Sequence, residues 1–191
     1  MNLGLRILSR KIFSAARRFI SLCCSYRARL IINFLQSVTV GSNFRCGEGF
    51  YISCTDGGEI RIGSNVSLGR NVKFVAQSGS IVIGDNAFIG DETIVVAKKS
   101  VKIGNDALIA EYVVIRDQDH GLDSDPIRSA GFSVASIAID DNVWLGSKVS
   151  VLKGNHIGSD AVIAANAVVT KDVPSRHIFG GVPAESIGIR D

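Results

Sequence analysis

Hydrophobic and polar positions recur along this chain with a period of six residues. An aliphatic residue, mostly followed by Gly, Ala or Asp, opens each six-residue unit, and a small or β-branched residue stands four positions later. A helix would give a period of about 3.6 and an ordinary strand a period of about two, so neither explains this pattern. The units open at Ile62, Leu68, Ile83, Ile89, Val95, Ile103, Ile109, Ile115, Ile139, Leu145, Val151, Ile157, Ile163 and Val169, with a more degenerate set at Val40, Cys46 and Ile52.

This period predicts a chain that turns a corner after every unit. Three units close a triangular coil of about 18 residues, and coils stack at the inter-strand spacing of about 4.8 Å. We therefore expect an all-β protein, a parallel β-helix of about six coils over residues 38–175, with a tail over residues 176–191. The spacing leaves the hand open, and general crossover chirality would favour a right-handed coil. A meander of short strands with glycine turns is the alternative, but it does not predict so many units in phase.

The pattern breaks once, over residues 116–136, where the sequence reads RDQDHGLDSDPIRSAGFSVAS. This segment is long enough to project from the coils as a loop, and loops on a rigid scaffold often carry function. It also contains His120, one of only three histidines in the chain. We expect residues 116–136 to form a projecting loop with candidate chemistry at its base.

Charge separates the beginning of the chain from the rest. Residues 1–47 hold eight basic residues and no acidic ones, whereas the remaining 144 residues hold 13 basic and 18 acidic residues, a net charge of −5. At 100° per residue, the apolar side chains of residues 8–26 share one face and three arginines share the opposite one, which predicts a basic amphipathic helix within residues 1–37. The apolar face would carry Leu8, Ile12, Ala15, Phe19, Leu22 and Tyr26, and the basic face Arg6, Arg10 and Arg17.

Two interpretations of this basic helix compete, and they are compatible with each other. The helix could lie on an anionic membrane surface, or its apolar face could cap the open edge of the first coil. Nucleic-acid binding is disfavoured because the rest of the chain is acidic. The apolar run Phe19–Cys24 is too short for a signal peptide, and no uncharged run resembles a membrane span. We expect a cytoplasmic protein with reduced cysteines, either free or peripheral on the inner face of the cell membrane.

The last coils carry a more specific pattern, VWLGSKVSVLKGNHIGSDAVIAANAVVTKDVPSRHIFGGVPA over residues 143–184. Its W-x-G-S, T-K-D and G-V-P-A pieces resemble the bacterial hexapeptide-repeat acetyltransferases, in particular the galactoside and maltose enzymes and the O-acetyltransferases of surface polysaccharides. The similarity covers about residues 60–191. The resemblance implies a left-handed β-helix, a homotrimer, acetyl-CoA as donor and a saccharide acceptor.

The resemblance also gives the broken segment a role. In such enzymes one coil ejects a loop toward the neighbouring subunit, and a histidine at the base of that loop is the catalytic base, which here would be His120. The chemistry needs a base because a sugar hydroxyl must lose its proton as it attacks a thioester, and imidazole has an unperturbed pKa near 6.5. Asp117 and Asp119 lie close enough in sequence that either could orient the ring.

Donor binding, by the same resemblance, falls on the later coils. Trp144 would pack near the pantetheine arm, Ser147 and the backbone of Ala165 would hydrogen-bond it, and Thr170 and Lys171 would reach the nucleotide end. Asp91 is the candidate for orienting the acceptor sugar. One departure from the family pattern follows the G-V-P-A piece, where Glu185 and Gly188 stand in place of basic residues and Arg190 is a candidate substitute.

The leading hypothesis is an acetyl-CoA-dependent O-acetyltransferase of a saccharide in surface polysaccharide or lipopolysaccharide biosynthesis. An N-acetyltransferase of amino-sugar nucleotides is the runner-up, although such enzymes often carry an additional domain for which 37 residues are too short. A zinc carbonic anhydrase-like protein would need three histidine ligands, and His177 lies beyond the predicted coils, so we expect no metal. A non-catalytic trimeric β-helix protein is the remaining alternative.

Overall fold

The computed structural model describes residues 24–26 and 36–191. Residues 24–26 are helical. The rest of the predicted basic amphipathic helix lies outside the described residues. The fold described below therefore concerns the predicted coils, the loop and the tail.

The described chain is built almost wholly from short strands. In chain order they are β1 (Val38–Val40), β2 (Tyr51–Thr55), β3 (Glu59–Ile62), β4 (Ser67–Leu68), β5 (Lys73–Gln77), β6 (Ser80–Ile83), β7 (Phe88–Ile89), β8 (Ile94–Ala97), β9 (Ser100–Ile103), β10 (Leu108–Ile109), β11 (Val114–Arg116), β12 (Gln118–His120), β13 (Phe132–Val134), β14 (Ile137–Ile139), β15 (Trp144–Leu145), β16 (Ser150–Val151), β17 (His156–Ile157), β18 (Val162–Ile163), β19 (Val168–Val169), β20 (His177–Gly180) and β21 (Glu185–Ile189). One 3₁₀ turn, Ile127–Ser129, lies between β12 and β13.

Three sheets make up the body of the molecule, and the chain visits them in turn. The first sheet has the order β1-β3-β6-β9-β14-β17, the second β4-β7-β10-β15-β18-β20-β21, and the third β2-β5-β8-β11-β16-β19. Neighbouring strands in each sheet are parallel, apart from the final pair β20–β21. This is a three-sided parallel β-helix, and the predicted all-β fold is confirmed.

The aliphatic residues that open the six-residue units point into the β-helix. Ile89, Ile109, Leu145 and Ile163 lie in register on four successive strands of the second sheet, and each is fully buried. The smaller residues four positions later, such as Val113, are also buried. Each large aliphatic side chain removed from water stabilises the fold by about 1.5–3 kcal/mol, so the stacked columns are the main source of stability.

The corners explain why Asn and Asp recur outside the core. Asn65, Asn86 and Asp106 have φ near 60°, a left-handed conformation that short polar side chains tolerate best among residues other than glycine. Their side chains also hydrogen-bond along the β-helix axis, with Asn65 Nδ2 donating to Asn86 Oδ1 at 3.1 Å and Asn86 Nδ2 to Asp106 Oδ1 at 3.0 Å. Each corner is thereby fixed both by its backbone and by the coil above it.

The two ends of the β-helix are covered in different ways. At the first coil, the buried Ser25 Oγ accepts a hydrogen bond from the Cys46 backbone N–H at 3.0 Å, and Cys24 packs against the core. At the other end, β20 pairs with β18 and then turns back into the antiparallel β21. The second sheet therefore continues beyond residue 175, and the tail over residues 176–191 is an ordered part of the fold.

Candidate active site

The segment over residues 116–136 leaves the third sheet after β11 and begins as a two-stranded hairpin. Strands β12 and β13 are antiparallel, with Gln118 opposite Val134, Asp119 opposite Ser133 and His120 opposite Phe132. The tip beyond the hairpin is exposed, including the large side chain of Leu122. The predicted loop is thus a short ribbon with a tip, and His120 ends its first strand.

Asp117 anchors the base of this hairpin to the preceding coil. Its side chain is fully buried, and its two oxygens accept hydrogen bonds from the backbone N–H groups of Lys98 at 2.8 Å, Lys99 at 2.7 Å and Ser100 at 2.8 Å. A buried carboxylate needs several donors to offset its lost hydration, and these three amides supply them. Asp117 therefore joins the loop to the turn between β8 and β9.

Asp119 anchors the hairpin to the following coil. Its Oδ2 lies 2.5 Å from Nζ of Lys153. Lys153 lies in the turn that follows β16. The backbone continues this link, because Ala135 N–H donates to Asp117 O at 3.0 Å and Gly154 N–H donates to Ala135 O at 3.1 Å. The hairpin is consequently fastened to the coils on both sides of it.

His120 is exposed to solvent and contacts an aromatic side chain. Its ring centroid lies 4.6 Å from that of Phe132, with the planes tilted by 33°, and Lys98 Nζ lies 4.3 Å from the Phe132 centroid. Across the described part of the chain, no hydrogen bond reaches either ring nitrogen of His120. Within the described residues, both ring nitrogens therefore lack a hydrogen-bond partner from the protein.

Within the described chain, Asp117 and Asp119 bind partners other than the His120 ring, so their predicted role in orienting that ring stays a prediction. The carboxylate of Asp117 is taken up by three backbone amides, and that of Asp119 by Lys153. Their physical effect on His120 is indirect, since they fix the hairpin that carries it. Sequence reasoning placed them near the histidine because of adjacency, which does not decide where alternate side chains of a strand point.

Three residues around His120 were missed by the sequence analysis. Phe132 and the buried Gln118 belong to the hairpin itself and are aligned with His120 by strand pairing, whereas Lys98 is brought beside the hairpin by coil stacking. The Oε1 atom of Gln118 is buried without a hydrogen-bond partner in the described structure. A signal was present in the sequence, because Phe-Ser-Val before the return to the coils has the alternation of a strand that could pair with Gln-Asp-His.

Trp144 lies on the outer face of the second sheet. It is 48% exposed and stands in register between Leu108 on β10 and Val162 on β18. Phe88, one strand further along the sheet, continues this outward apolar column. The side chain predicted to pack against a pantetheine arm is thus available on the surface of the single chain.

Ser147, Ala165 and Asp91 share one corner of the β-helix, between the second and third sheets. Ala165 follows Ser147 in the next coil, where Asn166 N–H donates to Ser147 O at 2.9 Å. A Cβ on Gly146 would lie only 2.7 Å from Ala165 N, so the close approach of the two coils requires glycine there. Asp91 lies two coils before Ser147, and Arg70 holds it through two side-chain hydrogen bonds of 2.8 and 2.7 Å.

Glu111 occupies the same corner between Asp91 and Ser147. A hydrogen bond from its own backbone N–H, and then one from the Ser147 side chain, lower the pKa of the Glu111 carboxyl. Ser147 is therefore fixed by an acidic neighbour in the preceding coil. The structure brings Ser147 and Ala165 together, and it places Asp91 on the same edge in an ion pair with Arg70.

Thr170 and Lys171 lie at a different corner, immediately after β19 of the third sheet. Lys171 Nζ forms an ion pair with the Glu185 carboxylate, and both side chains are more than half exposed. Glu185, which departs from the family pattern, thus neutralises the lysine predicted to bind the donor's nucleotide end. The third sheet also launches the hairpin after β11, so the histidine loop and Lys171 leave the same side of the β-helix.

The two remaining histidines, His156 and His177, each have a partner other than a metal cluster. No three His, Cys, Asp or Glu side chains in residues 24–26 and 36–191 are grouped so that they could hold a metal ion. His156 Nε2 lies 2.8 Å from Asp140 Oδ2, and His177 Nδ1 lies 3.0 Å from Ser175 O. No helix within the same residues has the length and apolar character needed to cross a membrane.

Comparison with known proteins defines the class to which this fold belongs. Residues 80–115 and 136–171 match the family profile described as the hexapeptide repeat of succinyl-transferase. The Escherichia coli K12 protein named "Putative lipopolysaccharide biosynthesis O-acetyl transferase WbbJ" is 36% identical over 140 residues, which are 68% of this chain and 71% of that protein. The chain therefore belongs to the hexapeptide-repeat acetyltransferase family.

Solved structures agree with this classification. A galactoside acetyltransferase in complex with coenzyme A superposes with a TM-score of 0.62 at 30% identity, covering 74% of this chain and 66% of that one. An N-acyltransferase from Bacillus cereus, in complex with dTDP and 3-hydroxybutyryl-CoA, gives a TM-score of 0.75 at 19% identity over 87% of this chain and 89% of that one. The second similarity is a similarity of fold.

Proposed function

We propose that this chain transfers an acetyl group from acetyl-CoA to a hydroxyl group of a saccharide, with His120 as the general base. The observation that carries the proposal is the placement of His120. His120 is exposed and its ring accepts or donates no hydrogen bond within the described residues, yet the hairpin that carries it is fastened to the coils by Asp117 and Asp119. A general base needs this combination of access and fixed position.

In the proposed reaction, a ring nitrogen of His120 takes the proton from the sugar hydroxyl as the hydroxyl oxygen attacks the thioester carbon. The tetrahedral intermediate then collapses, the carbon–sulfur bond breaks, and the imidazolium returns the proton to the leaving thiolate of CoA. General acid–base catalysis of this kind contributes about 10²–10⁴-fold to the rate. Asp117 and Asp119 support the step by holding β12 in place.

The donor would lie along the surface formed by the later coils. Trp144 offers an exposed aromatic face to the pantetheine arm, and Ser147 with the backbone at Ala165 offers polar groups one coil apart. Thr170 and Lys171 would meet the nucleotide end, where Lys171 must exchange the Glu185 carboxylate for a phosphate. Because that ion pair is exposed, its exchange costs about 1 kcal/mol or less.

The acceptor is a saccharide in this proposal, in line with the names of the relatives, and it belongs to surface polysaccharide or lipopolysaccharide biosynthesis. Asp91 is the candidate for contacting it. Both Asp91 oxygens accept hydrogen bonds from Arg70, Oδ1 from its backbone N–H and Oδ2 from its side chain, so a sugar hydroxyl would donate to a further lone pair. Carboxylates can accept about four hydrogen bonds, so the two roles are compatible.

A homotrimer is part of the proposal. The outward column of Phe88, Leu108 and Trp144 and the exposed tip residues Leu122 and Ile127 leave large apolar side chains in water in the single chain. Contiguous exposed apolar surface of this kind is typical of interfaces and ligand grooves. Packing of the loop tip against a neighbouring subunit would cover part of it.

The protein would act in the cytoplasm, with peripheral association to the inner face of the cell membrane through the predicted basic amphipathic helix within residues 1–37. The hydrogen bond from the Cys46 N–H to Ser25 supports the capping interpretation for residues 24–26. The arginines before them remain the candidates for contact with anionic lipid. Each basic residue near such a surface contributes about 1 kcal/mol.

The experiment that tests this function is a turnover assay with acetyl-CoA and a panel of mono- and oligosaccharides. Thiol release would report the reaction, and NMR would locate the acetyl group on the product. We expect release that depends on a saccharide, that survives chelation of divalent metals, and that is unchanged in the control variant His156→Ala. The absence of thiol release with every saccharide, or its loss on chelation with recovery by zinc, would contradict the proposal.

A further inference from the structure

We propose that Phe132 and Lys98 are positioning residues that set the orientation of the His120 ring. This inference rests on the proposed function, because it concerns how the proposed base is held. Neither residue belongs to the catalytic group, since both would act through His120.

The His120 ring needs an external contact to hold it. The torsion that turns a histidine ring is broad and roughly two-fold, so the backbone and Cβ do not fix the direction of the ring nitrogens. In many sites a hydrogen bond to one nitrogen supplies this restraint. No such hydrogen bond reaches the His120 ring in the described chain, so side-chain packing has to restrain the direction of the ring.

Phe132 supplies that packing. It stands directly opposite His120 in the β12–β13 pair, which places both side chains on the same face of the hairpin. The two ring centroids lie 4.6 Å apart with a tilt of 33°, within the range of favourable aromatic pairs. An aliphatic side chain at this position would fill space but would not present a flat surface that selects one ring plane.

Lys98 connects this pair to the preceding coil. Its ammonium lies 4.3 Å from the centroid of the Phe132 ring, a cation–π distance, while its own backbone N–H donates to Asp117 Oδ1. The Asp117 carboxylate thus fixes the backbone of Lys98, and the Lys98 side chain contacts the same hairpin at Phe132. This closed set of contacts links Asp117, Lys98, Phe132 and His120.

The consequence for the reaction is a separation of effects. Disturbing Phe132 should lower kcat, because the ring nitrogen would spend less time in line with the acceptor hydroxyl. It should leave the Kd of acetyl-CoA unchanged, because neither Phe132 nor Lys98 is among the proposed donor contacts. It should also leave the thermal midpoint nearly unchanged, since Phe132 is 45% exposed.

The test compares Phe132→Leu, Phe132→Tyr and Lys98→Met in the full-length protein, with Val134→Ala as a matched control on the same strand. We expect Phe132→Leu to lower kcat by about tenfold and Lys98→Met by about threefold, whereas Phe132→Tyr and Val134→Ala stay close to wild type. The NMR resonance of the His120 Cε1–Hε1 pair should shift in Phe132→Leu, because the ring current of Phe132 is lost, and should stay nearly in place in Val134→Ala.

The decisive measurement is the rate of the double variant that carries Phe132→Leu together with His120→Ala. If Phe132 acts only through His120, the second change should lower the remaining rate by less than about twofold. A full tenfold loss in that background, or a wild-type kcat for Phe132→Leu alone, would overturn the inference. If His120→Ala itself kept the wild-type rate, the proposed function would fail first, so the two failures are distinguishable.

Discussion

The coils and the hairpin at residues 117–135 both turn the chain away from a sheet, but they do so by different means. At a coil corner, a left-handed Asn such as Asn65 or Asn86 bonds to its equivalent in the next coil, and the same device recurs along the axis. At the hairpin, Asp117 binds three amides of another turn, and Asp119 binds Lys153. The hydrogen bonds repeated at the corners build a scaffold, whereas the contacts of Asp117 and Asp119 occur once and position the strand that carries His120.

The comparison predicts the largest stability effect inside the coils. Ile103 is fully buried on β9 between two neighbouring strands, so Ile103→Ala should lower the free energy of unfolding by about 2–5 kcal/mol. Leu122→Ala at the loop tip should change it by about 0.5 kcal/mol or less in the isolated chain, because that side chain is 83% exposed. Denaturant unfolding measures both.

Lys102→Ala, on the same strand as Ile103 but exposed, is the matched control for this comparison. It should behave like the loop variant and not like its buried neighbour. Equal destabilisation by Ile103→Ala and Lys102→Ala would show that the stacked aliphatic columns do not dominate the stability of the coils.

Asp117 should show the next largest effect, because it belongs to both regions. Asp117→Asn keeps the shape of the side chain but presents an NH₂ group where three N–H donors need an acceptor. We expect a loss of about 1–3 kcal/mol in unfolding free energy, together with a clear loss of turnover as β12 shifts. Thermal unfolding and the acetyl-transfer assay on the same samples measure the two effects.

Asp119→Asn serves as the control for Asp117, since its ion pair with Lys153 is partly exposed. That variant should lose about 1 kcal/mol or less. A larger loss from Asp119→Asn than from Asp117→Asn would reverse the order in which we rank the two anchors.

A smaller effect is expected on the affinity for CoA. It should follow from changes on the coils, and these changes should not disturb the hairpin. Trp144→Ala and Lys171→Ala should each weaken CoA binding by about tenfold without lowering the thermal midpoint, as removal of a surface contact would. Glu185→Gln should act in the opposite direction, because it releases Lys171 for the phosphate. Calorimetric titration of CoA tests all three, with Lys73→Ala on a distant strand as control.

Wild-type CoA affinity in both Trp144→Ala and Lys171→Ala would place the donor elsewhere on the molecule. A weaker affinity in Glu185→Gln would contradict the competition between the Glu185 carboxylate and a phosphate. Each outcome bears on one contact, so the two parts of the donor site can fail separately.

The smallest effect concerns the first coil. Burial raises the pKa of the Cys46 thiol from 9.0 to about 11, against the opposing hydrogen bond with Ser25. Because the folded pKa lies above the unfolded one, this contribution to stability is complete below pH 9 and is lost as pH rises toward 11. We expect the thermal midpoint to fall across that window, and Cys46→Ala to reduce the slope.

A slope that is unchanged in Cys46→Ala would show that other groups control the alkaline loss of stability. The same variant should also remain folded at neutral pH, where the wild-type thiol is un-ionised. Cys54→Ala is a useful comparison, since burial and the nearby Glu59 raise the pKa of the Cys54 thiol too.

The coils could be predicted from the sequence because each inward position is repeated. Val95, Ile115 and Val151 occupy the same place in successive coils, so their period alone fixes which residues are buried. The hand of the β-helix was not contained in that period. The second strand of the tail, Glu185–Ile189, was also missed, since an antiparallel return has no counterpart among the repeats.

The site could be predicted only in part, because its residues come from different coils. His120 was proposed from its position in the break, and Trp144 from a motif within one coil. The Phe132 ring contact and the partners of Asp117 and Asp119 depend on how the hairpin pairs and on which turn it meets. No six-residue period encodes these contacts, so adjacency in sequence suggested a different partner for the two aspartates.

The central claim is that the hairpin carries the base while the coils carry the donor. Its most direct test is the rate of acetyl transfer by His120→Ala at saturating acetyl-CoA and acceptor, measured together with the Kd of CoA. The account predicts a rate about 10²–10⁴-fold below wild type with a nearly unchanged Kd. A variant that keeps more than about a tenth of the wild-type rate would contradict it, because general-base catalysis contributes more than that.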